Sequence, residues 1–174
     1  MLKRCIMFFP KFENQNIINE IRERYDPLAS HVRPHITLVF PFDSNIETNE
    51  LKDHIISGLA QQKKFDIVLG GFTPTRSYGN YLFLNIKKGK EQIINIHRKL
   101  YTGILEDYYP EWLKNVVFLP HMTVGCIEDE KAFFEAADKI KDIDDLFQTR
   151  VEEISVEIID ENEDSIIELN IPLS

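Results

Sequence analysis

The sequence spells Pro-His-apolar-Thr-apolar twice, as Pro34-His35-Ile36-Thr37-Leu38 and as Pro120-His121-Met122-Thr123-Val124. Eight prolines and five histidines scattered over 174 residues would meet as Pro-His about 0.2 times by chance. Two copies that continue in the same way ask for a common cause, and internal duplication with one task per copy is the first to test. The constraint on the fold is strong, because each copy must then occupy the same slot in its own half.

The flanking pattern agrees with duplication. Residues 4–9 read as a short buried strand, and Ile17, Ile18 and Ile21 share one face of a helix that begins near Asn14 and is stopped by Pro27. Residues 35–40 read as a β-branched strand, 47–62 as a second helix and 65–72 as a third strand. After a loop at 73–80 punctuated by Pro, Gly and Ser, the order restarts with a strand at 81–86, a helix at 90–105, a strand at 121–126, a helix at 130–140 and a strand at 151–159. A last strand, 166–171, follows an acidic turn. The expected organisation is a single domain over 1–174, built from two repeats (about 1–74 and 80–160) plus a C-terminal strand. Pseudo-two-fold pairing of the repeats would bring both motifs to a shared cleft.

Side chains alternate across a strand, so His35 and Thr37 face one way while Ile36 and Leu38 face the other, and His121 and Thr123 stand opposite Met122 and Val124. One face is core and the other is free for chemistry. An imidazole titrates near ~6.5, so a pair in one pocket supplies both a base and an acid at neutral pH. In phosphodiester cleavage the nucleophile enters and the leaving oxygen departs on opposite sides of phosphorus, which calls for one such group on each side. Two threonine hydroxyls at the same centre would donate to the non-bridging oxygens.

Doubled His-apolar-Thr-apolar strands resemble the two-histidine (2H) phosphoesterase superfamily, which includes 2′-5′ RNA ligase and cyclic phosphodiesterase proteins. The similarity extends over nearly the whole chain, and "RYDPLASHVRPHITL", "HRKLYTGIL" and "FLPHMTVG" are especially similar to its bacterial YjcG-like branch. The resemblance implies an α+β fold of two pseudo-symmetric, mainly antiparallel lobes with helices outside and a cleft between them. It also implies metal-independent and cofactor-free attack on 2′,3′-cyclic phosphates or 2′-5′ linkages, with His35, Thr37, His121 and Thr123 as the working residues. Implied partners are nucleotides or RNA ends bearing a phosphate or cyclic phosphate. The alternative from a different class is a phosphate- or RNA-end-binding module that keeps the cleft without the chemistry.

Composition narrows the partners further. The net charge is −9, but residues 1–120 balance at +3 while residues 121–174 carry −12, counted from 4 Lys and Arg against 16 Asp and Glu. Such an acidic C-terminal third opposes binding to extended duplex nucleic acid. Two cysteines without C-x-x-C spacing suit a reducing compartment. No apolar run is long enough to span a membrane or to form a secretion signal, so the expectation is a soluble cytoplasmic protein.

Outside the tetrad, Arg33 and Arg76 lie in loops beside a motif strand and at the repeat junction, where a guanidinium would clamp phosphate. His31 precedes the first motif strand by a few residues. His54 and His97 read as helix residues with packing roles, and Cys126 as a small core residue pointing away from His121 and Thr123. The aromatic run at 107–112 either stacks a base or packs on its own rings, and its pattern favours the second.

Overall fold

A computed structural model describes residues 1–174 throughout. Its elements in chain order are β1 (Leu2–Phe8), α1 (Gln15–Tyr25), β2 (Ile36–Ser44), α2 (Thr48–Gly58), β3 (Phe65–Thr75), β4 (Tyr81–Lys88), α3 (Lys90–Leu100), β5 (His121–Cys126), α4 (Glu130–Ile140), β6 (Leu146–Val151), β7 (Glu153–Ile159) and β8 (Ser165–Pro172). Two 3₁₀ turns, Gly103–Tyr108 and Glu111–Leu113, bridge α3 and β5.

The strands form two antiparallel sheets of four, ordered β2-β1-β7-β8 and β5-β4-β3-β6. The α+β architecture with two lobes is therefore as expected, and the strand orders match slot for slot. Each sheet runs from a motif strand at its edge to the first strand of the same half, and then to a strand contributed by the other half. β7 pairs with β1, and β3 pairs with β4. The helices cross over as well: α1 of the first half packs on β5, and α3 of the second half packs on β2. A single hydrophobic cluster of 35 buried residues draws on both sheets, so the lobes share one core.

Local sequence explains the element ends. Ile18, Ile21 and Arg22 are buried in α1, and the chain turns at Asp26 just before Pro27. The Asp129 side chain accepts a hydrogen bond from the Ala132 amide at 2.7 Å, capping α4, which buries Phe133, Ala136 and Ile140 at helical spacing. α3 ends at Leu100 rather than 105, and the chain then passes Gly103 at φ +52°, a left-handed conformation that terminates the helical path.

Three strands differ from expectation. β2 runs on through Pro41 to Ser44, and β3 through Pro74 to Thr75. Both prolines lie where their strand has a free edge, β2 throughout and β3 beyond its pairing with β6, which stops at Gly70, the setting in which a strand tolerates a residue without an N–H. β6 is additional: the strand expected at 151–159 is β7, which begins at Glu153, whereas Val151 ends β6 in the other sheet and the chain crosses between them at Glu152.

Sheet one is also tied by a buried ion pair. Arg4, 1% exposed, donates from Nε and Nη2 to the two Glu168 oxygens at 2.8 Å each, and from Nη1 to Ser44 Oγ and the Ile46 carbonyl. Thr48 adds a hydroxyl donor to Glu168. The guanidinium hydrogen bond holds the Glu168 carboxyl below the usual carboxylate range. Removing one member of such a pair strands a buried charge, which costs ~3–5 kcal/mol. Glu168→Ala is therefore expected to lower the unfolding free energy measured in urea by that amount, with Arg4→Met plus Glu168→Leu recovering most of it. Equal loss in both variants would contradict the charge argument.

Candidate active site

The two motif strands lie at sheet edges yet approach within 8 Å, Cα to Cα. Alternation is as expected: Ile36, Leu38, Met122 and Val124 are fully buried, while His35, Thr37, His121 and Thr123 are half-buried on the opposite face. Thr37, His121 and Thr123 line one cavity of about 650 Å³. His35 does not line it; burial and the proximity of His121 both act on its protonation.

The local geometry repeats in detail. His35 Nδ1 lies 2.9 Å from the Arg33 carbonyl, and His121 Nδ1 lies 2.7 Å from the Leu119 carbonyl. A carbonyl only accepts, so in both rings Nδ1 carries the proton and Nε2 is left as the free nitrogen. The motif proline accounts for the placement. It holds the preceding residue extended and fixes its own φ, so the carbonyl two residues back is presented to the ring. Both strands also carry a bulge just after the threonine. Met7 pairs with Thr37 and Ile6 with Val39, leaving Leu38 as the extra residue, and Phe83 pairs with Thr123 and Leu82 with Gly125, leaving Val124.

The second bulge corrects the expectation for Cys126. The shifted register sets Cys126 opposite Tyr81, with which its side chain hydrogen-bonds, on the face that carries Phe83 and Thr123.

Burial holds the His35 and His121 imidazoles below the usual histidine range, outweighing the carbonyl hydrogen bonds that favour the charged form. Their neighbours differ. His121 stacks on Phe83 with ring centroids 3.5 Å apart and planes at 20°. His35 meets Phe9 edge-on at 6.2 Å and feels the buried Arg22–Asp26 pair. That pair, 2.7 Å apart, also anchors the approach to the first motif through Arg22 donors to the Val32 and Leu28 carbonyls.

The other sequence candidates are dispersed. Arg33 lies over the Phe9 ring at 4.1 Å and lines a separate polar recess of about 470 Å³, together with His31. His31 Nδ1 pairs with Asp164 at 2.8 Å. Arg76 is bonded to Glu130 at 2.9 Å and is absent from the cavity wall, although Thr75 and Ser77 on either side of it belong to that wall. His54 bonds the Leu100 carbonyl. In the aromatic run, Tyr108 packs on Phe42 and Tyr109 on Tyr101, whereas Trp112 packs on Phe40 and Tyr78 and lines the cavity. Sequence reasoning missed the wall formed by residues 112–120. It also missed the role of His97, whose Nδ1–H reaches the Leu38 carbonyl at 2.7 Å while its ring stacks on Phe118 at 3.8 Å. No group of three His, Cys, Asp or Glu side chains is gathered so as to hold a metal ion, and no helix is long and apolar enough to cross a membrane.

Two four-stranded antiparallel sheets with helices place the chain in a two-lobed α+β class of proteins. The chain belongs to the 2′-5′ RNA ligase superfamily, whose family model matches residues 8–163. It is 32% identical over 125 residues to a Bacillus licheniformis protein named "Putative phosphoesterase", covering 71% of this chain and 70% of that one. A Bacillus pumilus protein of the same name is 27% identical over 146 residues, 82% of each chain. Among solved structures, apo Escherichia coli LigT superposes with TM-score 0.63 at 13% identity, covering 99% of this chain and 98% of that one. A Thermus thermophilus protein superposes at 0.64 and 15% identity, with the same coverage. LigT has also been solved with ATP and with 3′-AMP.

Burial also lowers the His97 pKa, so three imidazoles bind protons less readily in the folded protein than in the unfolded chain. Their contribution to stability is complete above the unfolded pKa of ~6.5 and is lost as pH falls below it. NMR titration should place the midpoints of His35, His97 and His121 below ~6.5, and urea midpoints should be flat from neutral pH upward and decline under acid. A midpoint above that value for any of the three in the free protein would contradict the burial argument.

Proposed function

We propose that the chain is a metal-independent phosphoesterase that cleaves a cyclic phosphodiester, such as a 2′,3′-cyclic phosphate, or a 2′-5′ linkage in a nucleotide or RNA-like substrate. The observation that carries this reading is the matched pair of imidazoles. Each is locked by its own chain as the Nδ1–H tautomer with Nε2 free, and Thr37 and Thr123 lie beside them on the same faces.

The resting pair is neutral, which suits a base and leaves the acid to be made. A phosphodiester bound between the rings carries one negative charge, and that charge raises the pKa of the imidazole it touches. The ring that takes up a proton then donates it from Nε2 to the leaving oxygen. The other ring, still neutral, removes the proton from the attacking hydroxyl or water on the opposite side of phosphorus. The threonine hydroxyls donate to the non-bridging oxygens, where charge is redistributed in the transition state. After the product leaves, the rings exchange protons with solvent and the neutral pair is restored. That the same fold carries nucleotides in LigT supports this class of substrate.

His35→Ala and His121→Ala are each expected to lower kcat/KM by ~10²-fold or more, with the double variant little worse than either single, because half of a relay does little. Thr37→Ala and Thr123→Ala should lose ~10- to 10³-fold. The wild-type profile of kcat/KM against pH should be bell-shaped with both limbs belonging to the pair, and should survive chelator. Turnover that disappears on chelation and returns with zinc would move the chemistry to a metal. Tight phosphate binding without turnover on cyclic or 2′-5′ substrates would favour a binding module.

A further inference from the structure

The two halves are matched in backbone but not in the chemistry around their histidines. Arg33 and Leu119 occupy equivalent positions, each two residues before its histidine and each giving its carbonyl to Nδ1. The Arg33 side chain lines the polar recess beside Lys11 and His31. The Leu119 side chain, 53% exposed, continues an apolar wall formed with Tyr78, Trp112, Val116, Val117 and Phe118. This wall borders the cavity that holds Thr37, His121 and Thr123.

No lysine or arginine lines that cavity. The two basic residues within the wall segments are both neutralised by carboxylates: Arg76 by Glu130, and Lys114 by Glu111. A polyanionic chain entering here would lose hydration and counterions without finding a cation in return. A flat, uncharged group would instead cover Trp112 and Val117, which are 47% and 86% exposed. The volume of about 650 Å³ falls in the ~300–1,000 Å³ range of pockets that enclose one small ligand.

On the phosphoesterase reading above, we infer that the site selects small phosphodiesters whose only negative charge is at the reacting phosphate, with an uncharged flat group such as a nucleobase seated on the apolar wall beside His121, in preference to RNA ends carrying further phosphates. Selection arises from what the wall lacks as much as from what it offers: apolar area favours the flat group, and the absence of cations disfavours additional charge.

Three substrates test this directly: a nucleoside 2′,3′-cyclic phosphate, the base-free methyl riboside 2′,3′-cyclic phosphate, and a short RNA ending in the same cyclic phosphate. The nucleoside should exceed the base-free compound in kcat/KM by about tenfold or more, the scale of one base–aromatic contact. The RNA end should be no better than the nucleoside, and the nucleoside rate should be nearly flat between about 50 and about 200 mM salt. Trp112→Ala should shrink the ratio of nucleoside to base-free rates towards one. Val117→Lys, at the most exposed point of the wall, should raise the RNA end relative to the nucleoside and steepen its salt dependence. Equal turnover of the nucleoside and base-free compounds, or a wild-type preference for RNA that decays steeply with salt, would overturn the inference while leaving the phosphoesterase reading intact. No turnover on any of the three would remove the cyclic-phosphate form of that reading and this inference together, and leave 2′-5′ cleavage to be assayed separately.

Discussion

An edge strand leaves a row of backbone N–H and C=O groups without a partner, and both motif strands lie at edges. The problem is sharpest at the bulge, where the extra residue has no counterpart on the neighbouring strand. In β2 that residue is Leu38, and its carbonyl takes the Nδ1–H of buried His97 while Tyr101 Oη accepts the next outward amide, that of Phe40, at 2.9 Å. α3 thus serves as a surrogate strand for the free edge. Because the His97 ring also stacks on Phe118, three residues before His121, one side chain ties the first motif strand to the approach of the second. On β5 the corresponding approach is made by α1. Gly125 permits the close approach: a Cβ there would come within 3.1 Å of Tyr25 Cβ and 2.9 Å of Leu82 Cδ1, so a side chain would oblige the helix to give and Leu82 to shift.

From these constraints the chemistry follows in short steps. The bulge bends the strand just beyond the threonine, and the proline just before the histidine presents a carbonyl to Nδ1. Between the two kinks, the His-x-Thr face is held in a fixed relation to the core. The tautomer is set by backbone, without an auxiliary carboxylate, so no fixed negative charge holds the imidazole protonated. Burial then keeps it neutral. A carboxylate orienter would stabilise the imidazolium in the resting state; a carbonyl does so less, and on the proposed mechanism the anionic substrate becomes the group that decides which ring is charged.

The histidine and threonine positions were legible because one period of two governs both chemistry and burial: the apolar partners Ile36, Leu38, Met122 and Val124 reveal the face on which the polar residues stand. Sheet membership was less legible. Phe147 and Val151 share one parity and Ile154 and Val156 the other, so the period of two breaks where the chain changes sheets, but a period marks a buried face without naming the sheet. The crossing at Glu152 is decided by pairing partners remote in sequence, Phe65 for Val151 on one side and Met7 for Ser155 on the other. The cavity wall at 112–120 was illegible for another reason. It lies in a 3₁₀ turn and irregular chain, where no periodicity distinguishes a ring packed inward, such as Tyr109, from one that borders the cavity, such as Trp112. Closeness in sequence does not put an arginine on the wall: Arg76 is two places from Tyr78, yet its guanidinium pairs with Glu130.

The exchange of strands and helices between halves bears on how the site works. Because β7 completes the sheet of β1 and β3 completes that of β4, separating the two sequence halves would tear two antiparallel ladders, and separating the lobes would open the common core. The distance between the motifs, which stand in different sheets, is therefore set by the shared core, and on the proposed mechanism that is the condition under which an acid and a base on opposite sides of one phosphorus keep their alignment. The wall from Trp112 to Pro120 has the opposite character. Beyond Leu113 it contributes no strand pairing before His121, and its backbone amide at Val116 bonds only locally to Leu113. On the proposed reading, geometry for the reaction is thus built into the sheets and their shared core, while selection among substrates rests on a surface segment whose side chains can change without disturbing them.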